Sequence, residues 1–338
     1  MNLLCKILII LFFVIVGRIS TFAQELPVHE QYIFDFSLVN PSFIGLTEAT
    51  IVKLSHRQQW FGVKNPPNTS FALARHRFKA TNVGLGGYFF QDQNGPNANY
   101  GLQVSSSFHV MLKSNRTKKH ILSFGLSIKG SMHILDESGF EKDVYDPLIR
   151  YYKTTSYLFN ANAGILYSTR SFFAGYSVDN LVPLVDNVYK SQIEPRFKFS
   201  HNIHFGKLWN FLDNHQIRAS LIGKTNFTLQ HQVDASIRYY YLFGQAARSK
   251  HVRYRDEIWG GFNYKQTLDI GNYSPMSIQP IVGYTKNIYS VALLYDYPLS
   301  PLQKYSFGSI QILLALKFAH TDWKYWQDFQ VPNFYYDF

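Results

Sequence analysis

Apolar and polar residues alternate with a period of two along much of this chain. In residues 122–129 the apolar series Leu, Phe, Leu, Ile interleaves with Ser, Gly, Ser, Lys, and residues 197–205, 232–239 and 310–318 repeat the pattern. Because successive side chains of a strand point to opposite faces, this alternation predicts β-strands with one apolar and one polar face.

Two kinds of all-β fold fit this alternation. A water-soluble sandwich turns its apolar face inward, whereas a membrane barrel turns that face toward lipid. Aromatic residues make up 17% of the chain, and charges such as Lys129, Arg218 and Arg238 lie on the polar side of the strands. Together with strands of about ten residues and an exported N-terminus, these features favour a transmembrane antiparallel β-barrel.

Counting the segments predicts about fourteen strands. They centre near residues 52, 73, 87, 104, 126, 162, 174, 202, 219, 235, 261, 281, 292 and 313. An even number of strands places both termini in the periplasm, so the connections from odd to even strands face outward and should be the longer ones.

Loop lengths follow this parity. The expected outward connections are Gln58–Pro67, Gln91–Asn97, His133–Tyr157 and Asp179–Arg196. The two tightest expected turns, Ser168-Thr169 and Lys286-Asn287, belong to the inward set, whereas the inward connection from Tyr241 to Arg255 is longer than the rule favours.

The N-terminus has the pattern of a secretory signal peptide, residues 1–23. Lys6 precedes the ten-residue apolar run Ile7–Val16, and Ala23 provides a small residue before the cut. Cys5 is the only cysteine and lies before that run, so neither a lipid anchor nor a disulfide is expected. We expect a plug or docking segment at 24–47, a barrel at 48–318 and a periplasmic tail at 319–338.

The chain carries a formal net charge of +11. A basic excess is a signature of nucleic-acid binding, but here the basic residues are scattered or lie in expected turns, and the chain is exported. The expected surroundings are therefore outer-membrane lipid and protein partners, with no nucleic acid.

One stretch, from Gln31 to Gly62, differs from the alternating pattern. Pro41 disfavours helical geometry at Asn40, so an ordered turn anchored by aromatic residues is expected. The stretch contains three blocks: Gln31-Tyr32-Ile33-Phe34, Asn40-Pro41-Ser42-Phe43-Ile44-Gly45 and Arg57-Gln58-Gln59-Trp60-Phe61-Gly62.

In order and spacing, these blocks resemble the start of the PorP/SprF family, outer-membrane proteins of the type IX secretion system. The resemblance implies a non-enzymatic component that supports export, or surface anchoring, of a secreted partner such as an adhesin in gliding bacteria. Other secretion components and that cargo would be its partners. The implied partner-binding residues are Gln31, Tyr32, Phe34, Asn40, Pro41, Gly45, Arg57, Gln59, Trp60 and Gly62.

Three departures from the family pattern are visible. Asp35 stands where asparagine is usual, Ser42-Phe43 replace an Ala-Tyr pair, and Ile310-Gln311 replace a His-Glu pair in the closing hairpin. The first two keep the turn chemistry, while any role of the His-Glu pair does not carry over.

Candidate chemistry is sparse. His201 and His204 are three apart, so on a strand they point to opposite faces and do not share a metal. Gly84-Leu85-Gly86-Gly87 lacks the helix of a phosphate loop, and close backbone approach explains such strand glycines better. No G-x-S-x-G motif occurs. We expect no catalytic residue, cofactor or metal.

Two questions stay open from the sequence. Trp60 is either a girdle anchor at the membrane boundary or a partner contact at the barrel mouth. The alternative function is an outer-membrane channel for small hydrophobic or polar solutes, resembling fatty-acid transporter barrels, and a lipid hydrolase is a third reading. A conductive polar lumen would mark the channel, and a Ser–His pair at the lipid face would mark the hydrolase.

Overall fold

The fold is a closed antiparallel barrel of fourteen strands. This computed structural model describes residues 31–47, 49–63, 65–78, 81–114, 119–140, 149, 151–169, 171–182, 188, 199–212, 214–226, 231–243, 256–268, 274–304 and 306–319. The strands are β1 Ala49–Gln58, β2 Asn68–Arg77, β3 Val83–Asn94, β4 Asn97–Ser114, β5 Lys119–Asp136, β6 Lys153–Ser168, β7 Phe172–Asp179, β8 Ser200–Leu212, β9 His215–Thr225, β10 His231–Phe243, β11 Asp256–Thr267, β12 Pro275–Lys286, β13 Tyr289–Pro298 and β14 Ser309–Ala319.

Each strand pairs with its sequence neighbours, and β1 closes the barrel against β14. Ala49 lies opposite Ala319, so β1 begins and β14 ends at the same mouth, which we call the terminal mouth. The opposite opening is the far mouth. Every predicted strand centre falls within a strand of the structure, so the predicted fourteen-strand barrel is confirmed.

The two faces of the wall have opposite polarity. Phe124, Phe199 and Ile312 are 45%, 47% and 47% exposed on the outer surface, whereas Ser127 and Lys129 are each 3% exposed and face inward. Large apolar side chains on the outside with polar and charged ones on the inside are the arrangement of a membrane barrel and the reverse of a soluble sandwich.

The loop expectations were partly wrong. Gln91–Asn97 is not a loop, because β3 continues to Asn94 and pairs with Asn97 across the two-residue turn Gly95-Pro96. Gly95 supplies the positive φ, 57°, that this tight turn requires. The far mouth therefore has a turn as short as the one between β12 and β13 at the terminal mouth. Of the two turns expected to be tightest, the one after Ser168 spans three residues.

No helix within the described residues has the length and apolarity needed to cross a membrane. The described residues do not include the predicted signal peptide at 1–23, the following residues 24–30, or the tail beyond Ala319.

Residues 31–47, which we call the lumenal segment, lie inside the barrel and are buried throughout. The segment contains three short 3-10 stretches: residues 31–33, Phe36–Leu38 and Pro41–Phe43. Its apolar side chains join two clusters with inward-facing residues of the wall. The expected turn is thus present as short 3-10 helices.

Candidate functional site

The 3-10 helices Phe36–Leu38 and Pro41–Phe43 each begin at a side-chain cap. Asp35 and Asn40 are both extended, and their side-chain oxygens accept hydrogen bonds from Ser37 N at 3.0 Å and Ser42 N at 2.9 Å. Pro41 follows its cap at the first helical position, where its missing N–H costs nothing. Asp35 therefore performs the capping role that an asparagine would perform at this position.

Asn40 also ties the segment to the wall. Its Nδ2 lies 2.7 Å from Nε2 of His204 on β8 and 3.4 Å from the carbonyl oxygens of Ile165 and Tyr176. One amide thus caps a helix with its oxygen and binds three groups of the wall with its nitrogen. His201 stands on the outer face beside Tyr176, so the two histidines point to opposite faces, as predicted.

Glycines on three strands let the main chain of the segment touch the wall. A Cβ atom would lie 2.7 Å from Cα of Gly45 if placed on Gly84, and 2.2 Å from Ser42 N if placed on Gly125. On Gly164 it would lie 2.0 Å from Oδ1 of Asn40. These distances exclude any side chain, so close backbone approach is the role of Gly84.

Asp35 forms a buried ion cluster with two cations of the wall. Its Oδ2 lies 2.9 Å from Lys53 Nζ and 3.4 Å from Arg75 Nη2, and all three side chains are almost fully buried. Burial by itself would raise the pKa of Asp35, but Arg75 and Lys53 outweigh it and lower the pKa to about 2. The carboxylate is therefore charged at neutral pH.

Side chains of the wall bind the lumenal segment largely through the segment's main-chain carbonyls. Lys53 Nζ donates to the Phe34 carbonyl at 2.7 Å and Ser177 Oγ to the Val39 carbonyl at 2.6 Å. Further carbonyls accept from wall side chains in the same way: Ile33 from Arg238, Phe43 from Arg75, Ile44 from Ser107 and Gly45 from Arg77.

An aromatic cluster holds the other side of the segment. Phe36 stacks on Phe43 with 5.3 Å between ring centroids, and Phe173 of β7 packs edge-on against both. His204 lies against the same rings. Phe34, Phe36 and Phe43 are all buried.

The first two residues of the segment contact different parts of the wall: Gln31 contacts the closing strand β14, and Tyr32 contacts β9 and β10. Gln311 Nε2 of β14 donates to Gln31 Oε1 at 2.8 Å and to Ser55 Oγ at 2.9 Å. The Tyr32 hydroxyl donates to Asp234, and Lys224 lies 4.9 Å above the Tyr32 ring. Gln311, one of the two departures in the closing hairpin, therefore contacts the segment directly.

The predicted partner-binding residues separate into two groups. The side chains of Gln31, Tyr32, Phe34, Asn40 and Pro41 are buried inside the barrel, as is the backbone at Gly45. A partner touches them only if the segment moves. The second group extends from Arg57 to the far mouth.

At the far mouth, a short loop pair holds Trp60 in place. Phe61 N donates to the Gly308 carbonyl and Phe307 N to the Phe61 carbonyl, both at 3.0 Å. Trp60 has a positive φ of 53°, unusual for a large side chain, and is 36% exposed. Phe307 beside it is 77% exposed.

The other residues of this group support the loop pair. Arg57 faces inward and pairs with Asp296 of β13 at 2.8 Å, across the intervening β14. Gln59 N donates to the Pro67 carbonyl at 2.8 Å. Gly62 has a φ of 92°, and a Cβ atom there would lie 2.9 Å from the Phe307 ring. Arg57 is thus an internal tie, whereas Trp60 is accessible.

A Ser–His pair does occur on the outer face: His56 Nδ1 lies 2.8 Å from Ser70 Oγ. The same imidazole–hydroxyl contact recurs at 2.8 Å in Thr50–His76 and Thr225–His231, so it is a repeated cross-strand pair. A catalytic pair also needs a group that orients the histidine. Within the described residues, no group of three or more potential ligands could hold a metal.

Sequence reasoning missed most wall partners of the segment. Lys53, Arg75, Arg77 and Arg238 stand at the polar phase of their strands, which the alternation marks as inward. A Lys or Arg at an inward-facing position of a strand was therefore the sequence signal that could have identified these partners. Gly125 and Gly164 gave none, because a strand glycine has no side chain to reveal what approaches it.

Fold and lumen define the class of this protein: a fourteen-stranded barrel of the outer-membrane type whose lumen contains a segment of its own chain. The family model "Type IX secretion system membrane protein PorP/SprF" matches residues 21–316, and the chain belongs to that family. Fold and family together support an outer-membrane location. Among curated proteins, no sequence matches the chain.

Two solved structures are similar to this chain. The CymD monoaromatic hydrocarbon channel is similar with a TM-score of 0.50 and 10% identity, covering 86% of this chain and 93% of that one. A Pseudomonas aeruginosa FadL homologue gives a TM-score of 0.45 and 8% identity, covering 83% of this chain and 92% of that one. At 10% identity, the similarity to CymD establishes the fold alone.

Proposed function

We propose that this protein is a non-enzymatic outer-membrane component of the type IX secretion system. It supports the export or the surface anchoring of a secreted partner, such as an adhesin in gliding bacteria. The barrel anchors the protein in outer-membrane lipid, and the lumenal segment with the far mouth provides the docking surfaces. Other secretion components bind at the periplasmic side, which is the terminal mouth.

The observation that carries the proposal is the way the lumenal segment is fixed. Its main chain, its two caps and its Asp35 carboxylate all have partners on the wall. A segment fixed at so many points along its length is suited to acting as a plug or a docking element, and it leaves less room for free passage of solutes.

The test uses Gly45, which has a φ of 69° and whose added Cβ would lie 2.5 Å from Cα of Gly84. Gly45→Ala together with Pro41→Ala should dislodge the segment while all fourteen strands still pair. We expect normal barrel abundance in outer-membrane fractions but loss of the secreted partner from the cell surface. Gly139→Ala is the matched control, because nothing lies within 4 Å of a Cβ atom there.

Loss of the barrel from the membrane in step with loss of export would contradict the docking role and assign the segment a structural one. Unchanged export with a dislodged segment would contradict the proposal as well.

A solute channel is the second candidate, favoured by the inward-facing polar and charged side chains of the wall. It predicts that purified protein conducts ions or solutes across a planar bilayer with the segment in place. Conductance that appears only in the Gly45→Ala/Pro41→Ala variant would favour the plug instead.

A further inference from the structure

We propose that Lys207 of β8 binds the phosphate group of a phospholipid on the outer face of the barrel, in the leaflet at the terminal mouth. The site consists of Lys207 with Trp209, His215, Tyr239 and Tyr241, and we call it the lipid site. This inference goes beyond the proposed function, in which lipid is only the medium that surrounds the barrel.

The first observation is the position of Lys207 on an apolar surface. Its side chain is exposed on the outer face of β8, between Phe205 and Trp209, which are each 43% exposed. Among the described residues, the other charged side chains that face outward on a strand lie at strand ends, such as Lys153 and Lys286. Lys207 lies five residues before the end of β8 at the terminal mouth. A lysine that faces lipid is destabilising, and more so the deeper it lies.

The second observation is that the chain provides no partner for this charge. The Lys207 ammonium forms no hydrogen bond or ion pair with any described residue. The residues opposite it on the neighbouring strands are Phe172 and Ala219, whose side chains accept no hydrogen bond. Within the described ranges, the outward positions of β6 to β10 carry no acidic side chain. The anion that pairs with Lys207 therefore comes from its surroundings, and at a membrane surface the anions are lipid headgroups.

The third observation is that Lys207 lies within reach of the headgroups. The next outward residue toward the terminal mouth is Trp209, and Ile217 pairs with both Trp209 and Tyr239. Tryptophan and tyrosine mark the boundary between hydrocarbon and headgroups. Two residues along a tilted strand correspond to about 5 Å of depth. A lysine side chain extends toward the boundary over such a distance, with its methylene groups on the apolar wall.

The rim of the lipid site provides polar groups at the boundary. His215 Nδ1 lies 2.5 Å from the Tyr239 hydroxyl, and the His215 ring centroid lies 5.1 Å from that of Tyr241. With the hydroxyl as donor to Nδ1, the ring proton is on Nε2, which can donate to a phosphate oxygen. Ala219 has a short side chain, so the surface beside Lys207 is open.

The apolar surface around Lys207 selects a lipid over a free anion. Phe205 lies one outward position deeper than Lys207 and is 43% exposed, and Ile237 lies at the level of Lys207 and is 54% exposed. Acyl chains of a bound phospholipid would lie on these side chains, with the phosphate toward Trp209. A free phosphate would gain nothing from them.

The experiment uses the purified full chain in dodecyl maltoside, a detergent without phosphate, and phosphatidylglycerol as the probe. Native mass spectrometry measures the lipid concentration at which one phosphatidylglycerol stays bound. Lys207→Met keeps the length of the side chain but removes its charge, and we expect it to raise this concentration about fivefold or more. Lys286→Met, at the end of β12 at the same mouth, is the matched control and should leave it unchanged.

Two further probes test the chemistry of the ligand. A galactolipid with the same acyl chains lacks phosphate and should bind equally to the unaltered protein and to Lys207→Met. Inorganic phosphate should not displace phosphatidylglycerol, and displacement would overturn the inference in favour of a free-anion site.

Equal binding of phosphatidylglycerol to the unaltered protein and to Lys207→Met, or an equal loss in Lys286→Met, would also overturn the inference. Because methionine is apolar, Lys207→Met should unfold at no lower temperature than the unaltered protein, so weaker binding would not reflect a damaged barrel. The proposed function is tested separately, by the surface-display assay of the Gly45 variant.

Discussion

Gly164 of β6 faces Asn40 so closely that a Cβ atom on the glycine would lie 2.0 Å from the Asn40 side-chain oxygen. That oxygen already accepts hydrogen bonds from Ser42 N and Ser42 Oγ. The wall at this point is therefore complementary to the cap of the 3-10 helix Pro41–Phe43.

Gly164→Val should displace the lumenal segment without breaking the barrel, because the added side chain occupies the space of the Asn40 amide. We expect amide hydrogen exchange in residues 36–45 to accelerate by a factor of ten or more, which corresponds to about 1.4 kcal/mol. Gly223→Ala on β9 is the control, since nothing lies within 4 Å of its Cβ position. Unchanged protection in Gly164→Val would show that the segment is not held at Asn40.

Acid should release the segment through Asp35. Its pKa in the folded protein, about 2, lies below the ordinary value of 3.8. The stabilisation is therefore complete above about pH 4 and is lost as the pH falls toward 2; it amounts to about 2 kcal/mol. Protection factors of the segment's amides should fall in that window.

Asp35→Asn keeps the cap but removes the charge. It should lower protection already at pH 7 and abolish the change between pH 4 and pH 2. Asp136→Asn, in an exposed position at the far mouth, should keep the unaltered profile. An Asp35→Asn profile that matches the unaltered protein would assign the acid response to another group.

A charged side chain on the outer face should destabilise the barrel. Phe124→Arg places a guanidinium toward lipid and should lower the free energy of unfolding by about 2–4 kcal/mol near the bilayer midplane. Phe124→Leu and the lumenal change Ser127→Asn should each cost much less. Denaturant titration in lipid vesicles measures this, and equal costs at both faces would contradict the assignment of faces.

Labelling of single cysteines should report which mouth faces outward. Reagent added to intact cells should reach Ser138→Cys at the far mouth and miss Lys286→Cys at the terminal mouth. Cys5 is the only native cysteine and precedes the predicted cleavage site, so the mature chain supplies no competing thiol. Labelling of Lys286→Cys alone would invert the orientation.

One substitution can decide whether Trp60 is a membrane anchor or a partner contact. Trp60→Asn removes the indole but retains a residue that tolerates the positive φ of 53°. If Trp60 contacts a partner, surface display of the partner should fall while barrel abundance in the membrane stays constant. A fall in barrel abundance would identify Trp60 as a membrane anchor. Phe307→Ala, in the same loop pair, is the control: barrel abundance that falls equally in this variant would assign the effect to the loop pair and not to the indole.

The amino-acid sequence by itself determined the strands of this protein and the turn at Asn40-Pro41. The period of two fixed the strands, their number and the face of residues such as Phe124 and Ser127, because a strand alternates sides whatever it pairs with. The Asn40-Pro41 sequence likewise fixed an extended residue followed by a turn, since proline restricts the residue before it. Burial of Phe36 and Phe43 followed from their apolar character.

Only the tertiary structure decided what meets across the lumen. Alternation says that Lys53, Arg75 and Arg238 face inward, but closure and register of the barrel determine that they meet Asp35 and the carbonyls of Ile33 and Phe34. The sequence separations of such contacts exceed any local pattern, as with the 280 residues between Gln31 and Gln311. Glycines such as Gly164 acquire their meaning from the neighbour that fills their space, and that neighbour exists only in the folded protein.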